Sequence, residues 1–241
     1  MEINMKNPFK GLTRFELILW LSSVAAVALS SVLSPTFDLL SLVASLVGVT
    51  ALIFLAKGYA FGQILVIIFA LLYSIVSLEQ RYYGEMITYA GMTLPMAVLS
   101  LISWLKNPNG DTGEVKVSRL TAKSLTSVLL LTALVTVAFY FILGAIGNAS
   151  LLVSTVSVTT SFFAAALTFL RSPFYAIGYA ANDVVLIILW VIAATADPGA
   201  YCVVVCFLAF LVNDLYGFFN WLKMEKRQTD CHILETEKIR K

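Results

Sequence analysis

The feature that most constrains this chain is the alternation of its basic residues with long apolar stretches. Eight stretches of about 18–25 residues are each long enough, as an α-helix, to cross a hydrocarbon core of ~30 Å. They run roughly over 16–34, 39–56, 60–78, 85–105, 124–145, 149–170, 173–196 and 199–222. When the gaps between them are assigned alternately to two sides, every Lys and Arg except Arg81 falls on one side.

This asymmetry predicts an orientation as well as a number of helices. Short loops rich in Lys and Arg mark the cytoplasmic face of a membrane protein. The basic side receives Lys6, Lys10, Arg14, Lys57, Lys106, Lys116, Arg119, Lys123, Arg171, Lys223, Lys226, Arg227, Lys238, Arg240 and Lys241. We therefore predict an even number of spans with both termini in the cytoplasm. A count wrong by one helix would scatter these charges over both sides.

Composition places the chain almost entirely within the membrane. It is 60% hydrophobic and 12% charged, whereas soluble domains carry about 25% charged residues. The longest polar segments are 106–123 and 223–241, so we expect no large extramembrane domain. The first apolar stretch is long for a signal peptide and leads into another span, so we interpret it as a retained helix. The basic residues are interpreted as topology signals and lipid-headgroup contacts rather than as a nucleic-acid surface.

Residues that often carry catalysis do not form a recognisable constellation. Cys202 and Cys206 lie four residues apart on a predicted helix and are interpreted as small packing residues. Cys231 and the single His232 lie in the charged tail. The sequence contains no phosphate-binding loop, nucleophile elbow or metal-ligand motif. We therefore expect neither an enzyme nor a cofactor, and we see no nucleotide domain of the kind that an ATP-driven pump needs.

The helices contain a weak internal repeat. The tripeptide Trp-Leu-Lys closes two apolar stretches, at 104–106 and 221–223, which are 117 residues apart. A similar offset relates the basic turn at Lys57 to the one at Arg171. Helices 2–4 (39–105) therefore resemble helices 6–8 (149–222), although apolar helices also align by coincidence. One linker helix between two three-helix units makes the repeat parallel, and such repeats typically build a substrate site between them near the midplane.

We therefore predict an all-α membrane protein with eight transmembrane helices, arranged as a 3+1+3 parallel repeat plus one N-terminal helix. The expected segments are 1–36 for the N-terminus and accessory helix, 37–106 for the first unit, 107–146 for the loop and linker helix, 147–223 for the second unit and 224–241 for the tail.

Two aspartates inside the predicted spans are the strongest functional signal. An ionisable residue within a span is costly and usually faces a cavity or a partner. Asp183 lies ten residues into the seventh span and Asp214 fifteen residues into the eighth. Because these helices run in opposite directions, Asp214 is expected roughly one turn to the cytoplasmic side of Asp183. Asn182 and Asn213 precede them and join the candidate site; the alternative is a structural hydrogen bond between helices.

Aromatic residues extend this candidate site. Trp190 lies seven residues after Asp183 on the same helix face, and Tyr216 lies three residues after Asn213. Trp190 could instead be a packing or lipid-facing residue. Trp104 and Trp221, near the ends of their spans, are expected to belong to an aromatic belt at the membrane interface.

The first unit contributes fewer polar residues. Its candidates are Gln63, Tyr73, Glu85 and Tyr89, with Glu85 close enough to the end of its span to be solvated. Pro95 is expected to kink the fourth helix and free backbone carbonyls. Carboxylates, amides and aromatic faces together favour a small polar ligand with a flat, cationic ring. A protonated amine or a coupling proton would also suit the carboxylates.

At these residues the chain resembles the PnuC nicotinamide riboside transporters, in the form common in Gram-positive bacteria. The matching stretches are 83–86 (YGEM), 171–175 (RSPFY), 182–190 (NDVVLIILW) and 213–221 (NDLYGFFNW). The resemblance covers about 37–228. It implies a 3+1+3 fold like that of the SWEET sugar transporters, a homotrimer, and a bacterial cell membrane location. It also implies facilitated diffusion of nicotinamide riboside, which a cytoplasmic kinase then phosphorylates and traps.

Two positions depart from the family pattern. Leu101 and Trp104 stand where many relatives carry two tryptophans, and the chain is apolar near Phe69 where many carry an Asn. The family includes carriers of thiamine and riboflavin, so thiamine and, less readily, the neutral riboflavin remain alternative substrates. An alternative of another class is a membrane-embedded binding subunit that needs a separate ATPase.

Overall fold

The computed structural model describes residues 8–35, 37–79, 83–148, 150–195, 199 and 201–239, with the backbone alone for 8, 10, 111 and 232–239. Eight of the described helices are long and apolar enough to cross a membrane. They are α1 Arg14–Leu33, α2 Leu39–Ala56, α3 Ala60–Glu79, α4 Tyr83–Leu105, α5 Ala122–Ala145, α6 Leu151–Phe169, α7 Phe174–Ala194 and α8 Tyr201–Ile239. The predicted number of spans and the all-α class are confirmed. Arg81, Lys6, Arg240 and Lys241 lie outside the described residues.

The helices form two three-helix units that face each other. The first unit consists of α2–α4 and the second of α6–α8, and they meet where α2 packs on α8 and α4 packs on α6. The linker helix α5 packs on α6, and α1 packs on α2 and α8. Helix α1 begins with a capping box, because the Thr13 side chain accepts from Glu16 N while the Glu16 carboxylate accepts from Thr13 N.

Helix α4 is interrupted by a widened turn. Residues Tyr89–Thr93 form one π-helical turn between the α-helical segments Tyr83–Thr88 and Leu94–Leu105. Pro95 follows directly, and a proline ring clashes with the carbonyl four residues earlier while supplying no N–H donor. The wider turn relieves this crowding. The helix is thus distorted on the N-terminal side of Pro95 by a widened turn, while the expected kink with freed carbonyls stays a prediction.

Matched hydrogen bonds join the ends of the two units. Trp104 Nε1 in α4 donates to the carbonyl of Thr168 in α6 at 2.9 Å. Trp221 Nε1 in α8 donates to the carbonyl of Leu55 in α2 at 2.8 Å. Each tryptophan therefore caps the first helix of the opposite unit. Their neighbours repeat the pattern, since Ser103 Oγ bonds Phe169 O at 2.7 Å and Asn220 Nδ2 bonds Ala56 O at 2.8 Å.

The two tryptophans do not belong to an aromatic belt. Trp104 and Trp221 are 1% and 0% exposed, and their ring centroids are 5.4 Å apart. The aromatic-belt interpretation was wrong because a tryptophan near a helix end can also turn inward and donate its N–H to a backbone carbonyl. Its N–H satisfies an orphan carbonyl as well as it satisfies the membrane interface. These reciprocal contacts support the internal repeat predicted from the sequence.

The turns that follow α2 and α6 are also alike. Gly58 and Arg171 both adopt left-handed backbone conformations, with φ of 69° and 58°. The loop between α4 and α5 crosses both turns, since Val115 N donates to Gly58 O at 2.9 Å and Ser118 N donates to Arg171 O at 3.0 Å. Near the C-terminal end of α8, the Gln228 side chain makes two hydrogen bonds to the backbone of this loop. It accepts from Val117 N and donates to Val115 O. The loop is thus part of the fold at the basic end of the helices.

Candidate functional site

A cavity of about 80 Å³ lies between the two units. A site of this size holds several water molecules or part of a larger ligand. Helices α2, α3 and α4 supply one wall and α6, α7 and α8 the other. The polar residues of the lining are Gln63, Tyr89, Thr93, Ser100, Ser161, Thr168, Tyr179, Asn182, Asp183 and Asp214. Among the described lining residues there is no Lys, Arg or His.

The two intramembrane aspartates meet in this cavity. Asp183 of α7 and Asp214 of α8 are 3% and 5% exposed, and their carboxyl groups lie close enough to interact with each other. Asp183 Oδ2 is buried without a hydrogen-bond partner among the described residues. Because ionised carboxylates only accept hydrogen bonds, such a contact needs a proton or another cation beside it. The arrangement is therefore suited to a cationic ligand.

Two amides from opposite units line the same cavity. Thr160 Oγ1 and Ser157 Oγ of α6 donate to Asn182 Oδ1, at 2.9 and 3.3 Å. This leaves the Asn182 NH₂ group as the donor that can reach a ligand. Gln63 of α3 is 2% exposed, and its Nε2 has no hydrogen-bond partner among the described residues. Buried polar atoms of this kind normally bond water or a ligand.

Aromatic rings form the apolar side of the cavity. Tyr89, on the π turn of α4, lies against Phe69 with ring centroids 5.8 Å apart, and Phe69 lies 5.9 Å from Phe210 of α8. Tyr73 packs against Tyr89 in a tilted arrangement, with ring centroids 4.4 Å apart, but does not line the cavity. The widened turn thus places Tyr89 where a flat ring could lie against it.

The remaining predicted residues lie further away. Trp190 is buried in the apolar cluster around Phe69, Leu186 and Phe210. Leu186, one turn earlier in α7, lines the cavity, and Trp190 does not. Glu85 is half-buried near the start of α4 and is likewise outside the cavity lining.

Asn213 and Tyr216 face the accessory helix α1 rather than the cavity. Asn213 Nδ2 donates to Ser23 Oγ at 2.9 Å, and the Tyr216 hydroxyl donates to Glu16 Oε1 at 2.7 Å. Lys57 completes this group, 3.2 Å from the Glu16 carboxylate. Each residue of a helix is rotated 100° from the last. Asn213 and Tyr216 therefore share a face, as their spacing predicted, but that face is not the face of Asp214.

Several lining residues were missed in the sequence. Tyr179 lies four residues before Asp183 in α7, and Thr93 lies four residues after Tyr89 in α4. The i, i+4 spacing on one helix face was available for both. Phe210 precedes Asp214 by the same spacing. Ser161 and Thr168 of α6 carried no comparable signal, because short hydroxyl side chains are common in spans that pack closely.

A buried cluster closes the cavity at its basic end. Leu55 lines the cavity and also belongs to the cluster formed with Trp104, Tyr175, Trp221 and Val115 of the α4–α5 loop. The cluster that contains the two tryptophans therefore forms the floor of the site through Leu55, and the same tryptophans join the units.

The comparisons with known proteins agree with this architecture. The family model described as nicotinamide mononucleotide transporter matches residues 38–223. The chain belongs to this family. It is 27% identical over 226 residues to the nicotinamide riboside transporter PnuC of Neisseria mucosa, covering 92% of this chain and 86% of the relative. It is 26% identical over 219 residues to the PnuC of Haemophilus influenzae, covering 90% and 93%.

A solved structure is also similar. The crystal structure of the vitamin B3 transporter PnuC superposes with a TM-score of 0.78 at 27% identity, covering 90% of this chain and 94% of the other. These matches confirm the family resemblance and the eight-helix membrane fold. The chain is thus a multi-pass membrane transporter and not an enzyme.

Proposed function

We propose that this chain carries nicotinamide riboside across the membrane by facilitated diffusion, for NAD synthesis, and binds it between the two units. The observation that carries the proposal is the Asp183–Asp214 pair, buried in a cavity whose other walls are aromatic rings and amides. The relatives named as nicotinamide riboside transporters support it.

The chemistry of the ligand matches the chemistry of the cavity. The pyridinium ring of the riboside is flat and positively charged, so a buried carboxylate attracts it more strongly than it would in water. The faces of Tyr89 and Phe69 add cation–π attraction, worth about 0.5–2 kcal/mol for each good contact. Asn182, Gln63 and the free oxygen of Asp183 supply the donors and the acceptor that a carboxamide and ribose hydroxyls need.

The same lining favours the riboside over the mononucleotide that appears in the name of the family model. A phosphate group is bound in proteins by Arg, Lys or backbone N–H groups at a helix start. The described lining offers two carboxylates and no cationic side chain, so a phosphate in the cavity would be repelled and desolvated. Discrimination against the mononucleotide would then follow from the charge of the cavity.

A binding assay with matched ligands tests the proposal. The purified protein is heated with nicotinamide riboside, the mononucleotide, thiamine or the reduced, uncharged riboside. A ligand at 100 times its dissociation constant stabilises the protein by about 2.7 kcal/mol, so we expect a clear upward shift with the riboside alone at low concentration. A larger shift with thiamine would identify thiamine as the substrate. A shift with the mononucleotide equal to that with the riboside would contradict the charge argument.

Transport by the chain alone tests the mode of action. In liposomes containing only this protein, we expect labelled riboside to reach equal concentrations inside and outside without an ion gradient. Uptake that requires an added ATPase would show a binding subunit, and uptake beyond equilibrium with an imposed gradient would show coupling. Facilitated diffusion cannot concentrate its substrate. In cells, a cytoplasmic kinase would therefore trap the imported riboside by phosphorylating it.

We also propose that both termini lie in the cytoplasm of a bacterial cell and that the protein forms a homotrimer. The placement of the basic residues supports the orientation. Cys231 is exposed in the tail, whereas Cys206 is buried and Cys202 is half-buried at the opposite end of α8, so in a Cys202→Ser background the tail cysteine reports the side. An impermeant thiol reagent should reach Cys231, and a cysteine placed at Asp111, only in inverted vesicles. A cysteine at Gly147 should react from outside, and a reaction at 111 from outside would overturn the orientation. Mass measurement in detergent tests the trimer.

A further inference from the structure

The outer surface of the second unit carries an apolar groove that is separate from the substrate cavity. It lies between the N-terminal end of α5, the second half of α6 and the first half of α7, with a volume of about 430 Å³. Leu125 forms its α5 side, Phe163 its α6 side, and Phe174, Ile177 and Ala181 its α7 side. Phe174 and Ile177 are 48% and 39% exposed, so the groove opens on the surface that faces the bilayer.

Close packing of α7 on α6 shapes the groove. A Cβ atom on Gly178 would lie 3.0 Å from the Cβ of Ala164, so the missing side chain lets the two helices approach. From Phe174 to Ala181 the groove follows seven residues of α7, about 10 Å along the helix axis. The hydroxyl of Thr160, at its deep end, is bonded to Asn182 and is not available to an occupant. A hydrocarbon chain fits such a lining.

Two exposed basic residues lie next to the rim of the groove in the sequence. Leu120 forms its rim, and Arg119 and Lys123 stand on either side of it in the sequence, both exposed. Glu225 of α8 lies 3.5 Å from Arg119, but the Arg119 side chain is 74% exposed and the contact is at the surface, where such pairs are weak. One acidic residue against two basic residues leaves a net positive mouth above an apolar channel.

We propose that this groove is a binding site for an anionic phospholipid, with an acyl chain beside Phe163 and Ile177 and the headgroup phosphate at Arg119 and Lys123. A basic rim above an apolar channel matches a molecule that is anionic at one end and aliphatic at the other. A second copy of this chain would bring its own basic rim to the same end of the membrane, so like charges would oppose that occupant. The lining of this groove shares no residue with that of the substrate cavity.

Lipid titration of the purified protein by native mass spectrometry tests the proposal. Phosphatidylglycerol and phosphatidylcholine with the same acyl chains are compared. One cation near an anionic headgroup changes affinity by about fivefold, so we expect phosphatidylglycerol to bind at least about fivefold tighter. The double variant Arg119→Gln with Lys123→Gln should abolish this preference. The matched control Lys223→Gln with Lys226→Gln removes the same charge from α8, which does not line the groove, and should keep the preference.

A second pair of variants tests the acyl-chain half of the site. Ala181→Trp fills the groove and should weaken both lipids by at least about fivefold, and Ala181→Leu should do so less strongly; the smaller change serves if the larger one does not fold. Unchanged lipid binding in either folded variant would overturn the groove as the site. Equal binding of the two lipids, or a preference that survives the loss of Arg119 and Lys123, would overturn the headgroup assignment. Disulfide cross-linking between copies of Ala181→Cys would show that a second copy covers the groove.

Discussion

The two three-helix units share their structural contacts but not their polar residues. The position seven residues before the capping tryptophan lines the cavity in both units. It is Ala97 in α4 and Asp214 in α8. The position eleven residues after the left-handed turn also lines the cavity in both units. It is Phe69 in α3 and Asn182 in α7. The first unit therefore supplies apolar and aromatic surface where the second supplies a carboxylate and an amide.

The two units therefore share the contacts that join them and differ in the residues with which they line the cavity. The tryptophan caps and the turns join the units at the basic end, so each unit must keep them. The ligand is asymmetric, with a charged ring and a polar sugar, and a symmetric pair of sites would suit it poorly. Both carboxylates come from the second unit, while the π turn of the first unit supplies Tyr89, so the two walls of the cavity differ.

The largest expected effect comes from breaking the contacts that the units share. Trp104→Ala and Trp221→Ala each empty a fully buried site and leave a buried carbonyl unpaired, so each should lower the free energy of unfolding by about 3–5 kcal/mol. Reversible denaturation in detergent measures it. Trp104→Phe and Trp221→Phe keep most of the ring volume and lose the N–H donor, and should cost about 1–3 kcal/mol. If replacing one of the two tryptophans leaves the free energy of unfolding unchanged, the two units are not structurally equivalent.

The next effect tests the carboxylate that only the second unit supplies. Asp183→Asn keeps the shape of the side chain and removes its charge, so we expect the riboside to bind at least tenfold more weakly, a loss of 1.4 kcal/mol. The reduced, neutral riboside should lose less than about threefold, because no Coulomb attraction is removed. Isothermal titration with both ligands measures the pair of effects. Equal losses for both ligands would make Asp183 a structural partner of Asp214 instead of a ligand contact.

The helices were predictable from the sequence because span length and charge placement are properties of the chain itself. Asp183 and Asp214 were predictable as a pair for a similar reason: burying a carboxylate in a membrane is too costly without a partner. The direction that Tyr216 faces was not predictable, because spacing shows which residues share a face but not which helix lies against it. Trp104 was misplaced since its carbonyl partner, Thr168, is 64 residues away.

A smaller effect is expected at the left-handed turns, where the units use different residues. Gly58→Ala places a side chain at φ of 69° with the Met224 Cε 3.0 Å away, and should cost about 1–2 kcal/mol of stability. Arg171→Gly relieves a similar backbone cost but removes the bonds from its guanidinium to Ser103 Oγ at 2.8 Å and Lys116 O at 3.2 Å. These changes offset each other, so we expect a net change under about 1 kcal/mol.

Arg171→Ala separates the two contributions at this turn, because it keeps the backbone cost and loses the side-chain bonds. It should be less stable than Arg171→Gly by about 1 kcal/mol. Thermal unfolding of Gly58→Ala, Arg171→Gly and Arg171→Ala in one detergent ranks their stabilities. Arg171→Gly and Arg171→Ala of equal stability would mean that the turn relaxes, and that its left-handed conformation is not imposed by the contacts around it.

The smallest effect is expected in the loop that crosses both units. The Lys116 and Arg119 side chains of this loop are exposed, whereas its backbone is held by Gly58, Arg171 and Gln228. Lys116→Gln combined with Arg119→Gln should therefore leave the dissociation constant of the riboside within about threefold, under 1 kcal/mol. Gln228→Ala is the comparison variant, because it removes two hydrogen bonds to the loop backbone without changing any charge. If the double variant binds much more weakly while Gln228→Ala binds normally, the charges themselves act on the ligand, and the floor of the cavity is not closed by the buried tryptophans alone.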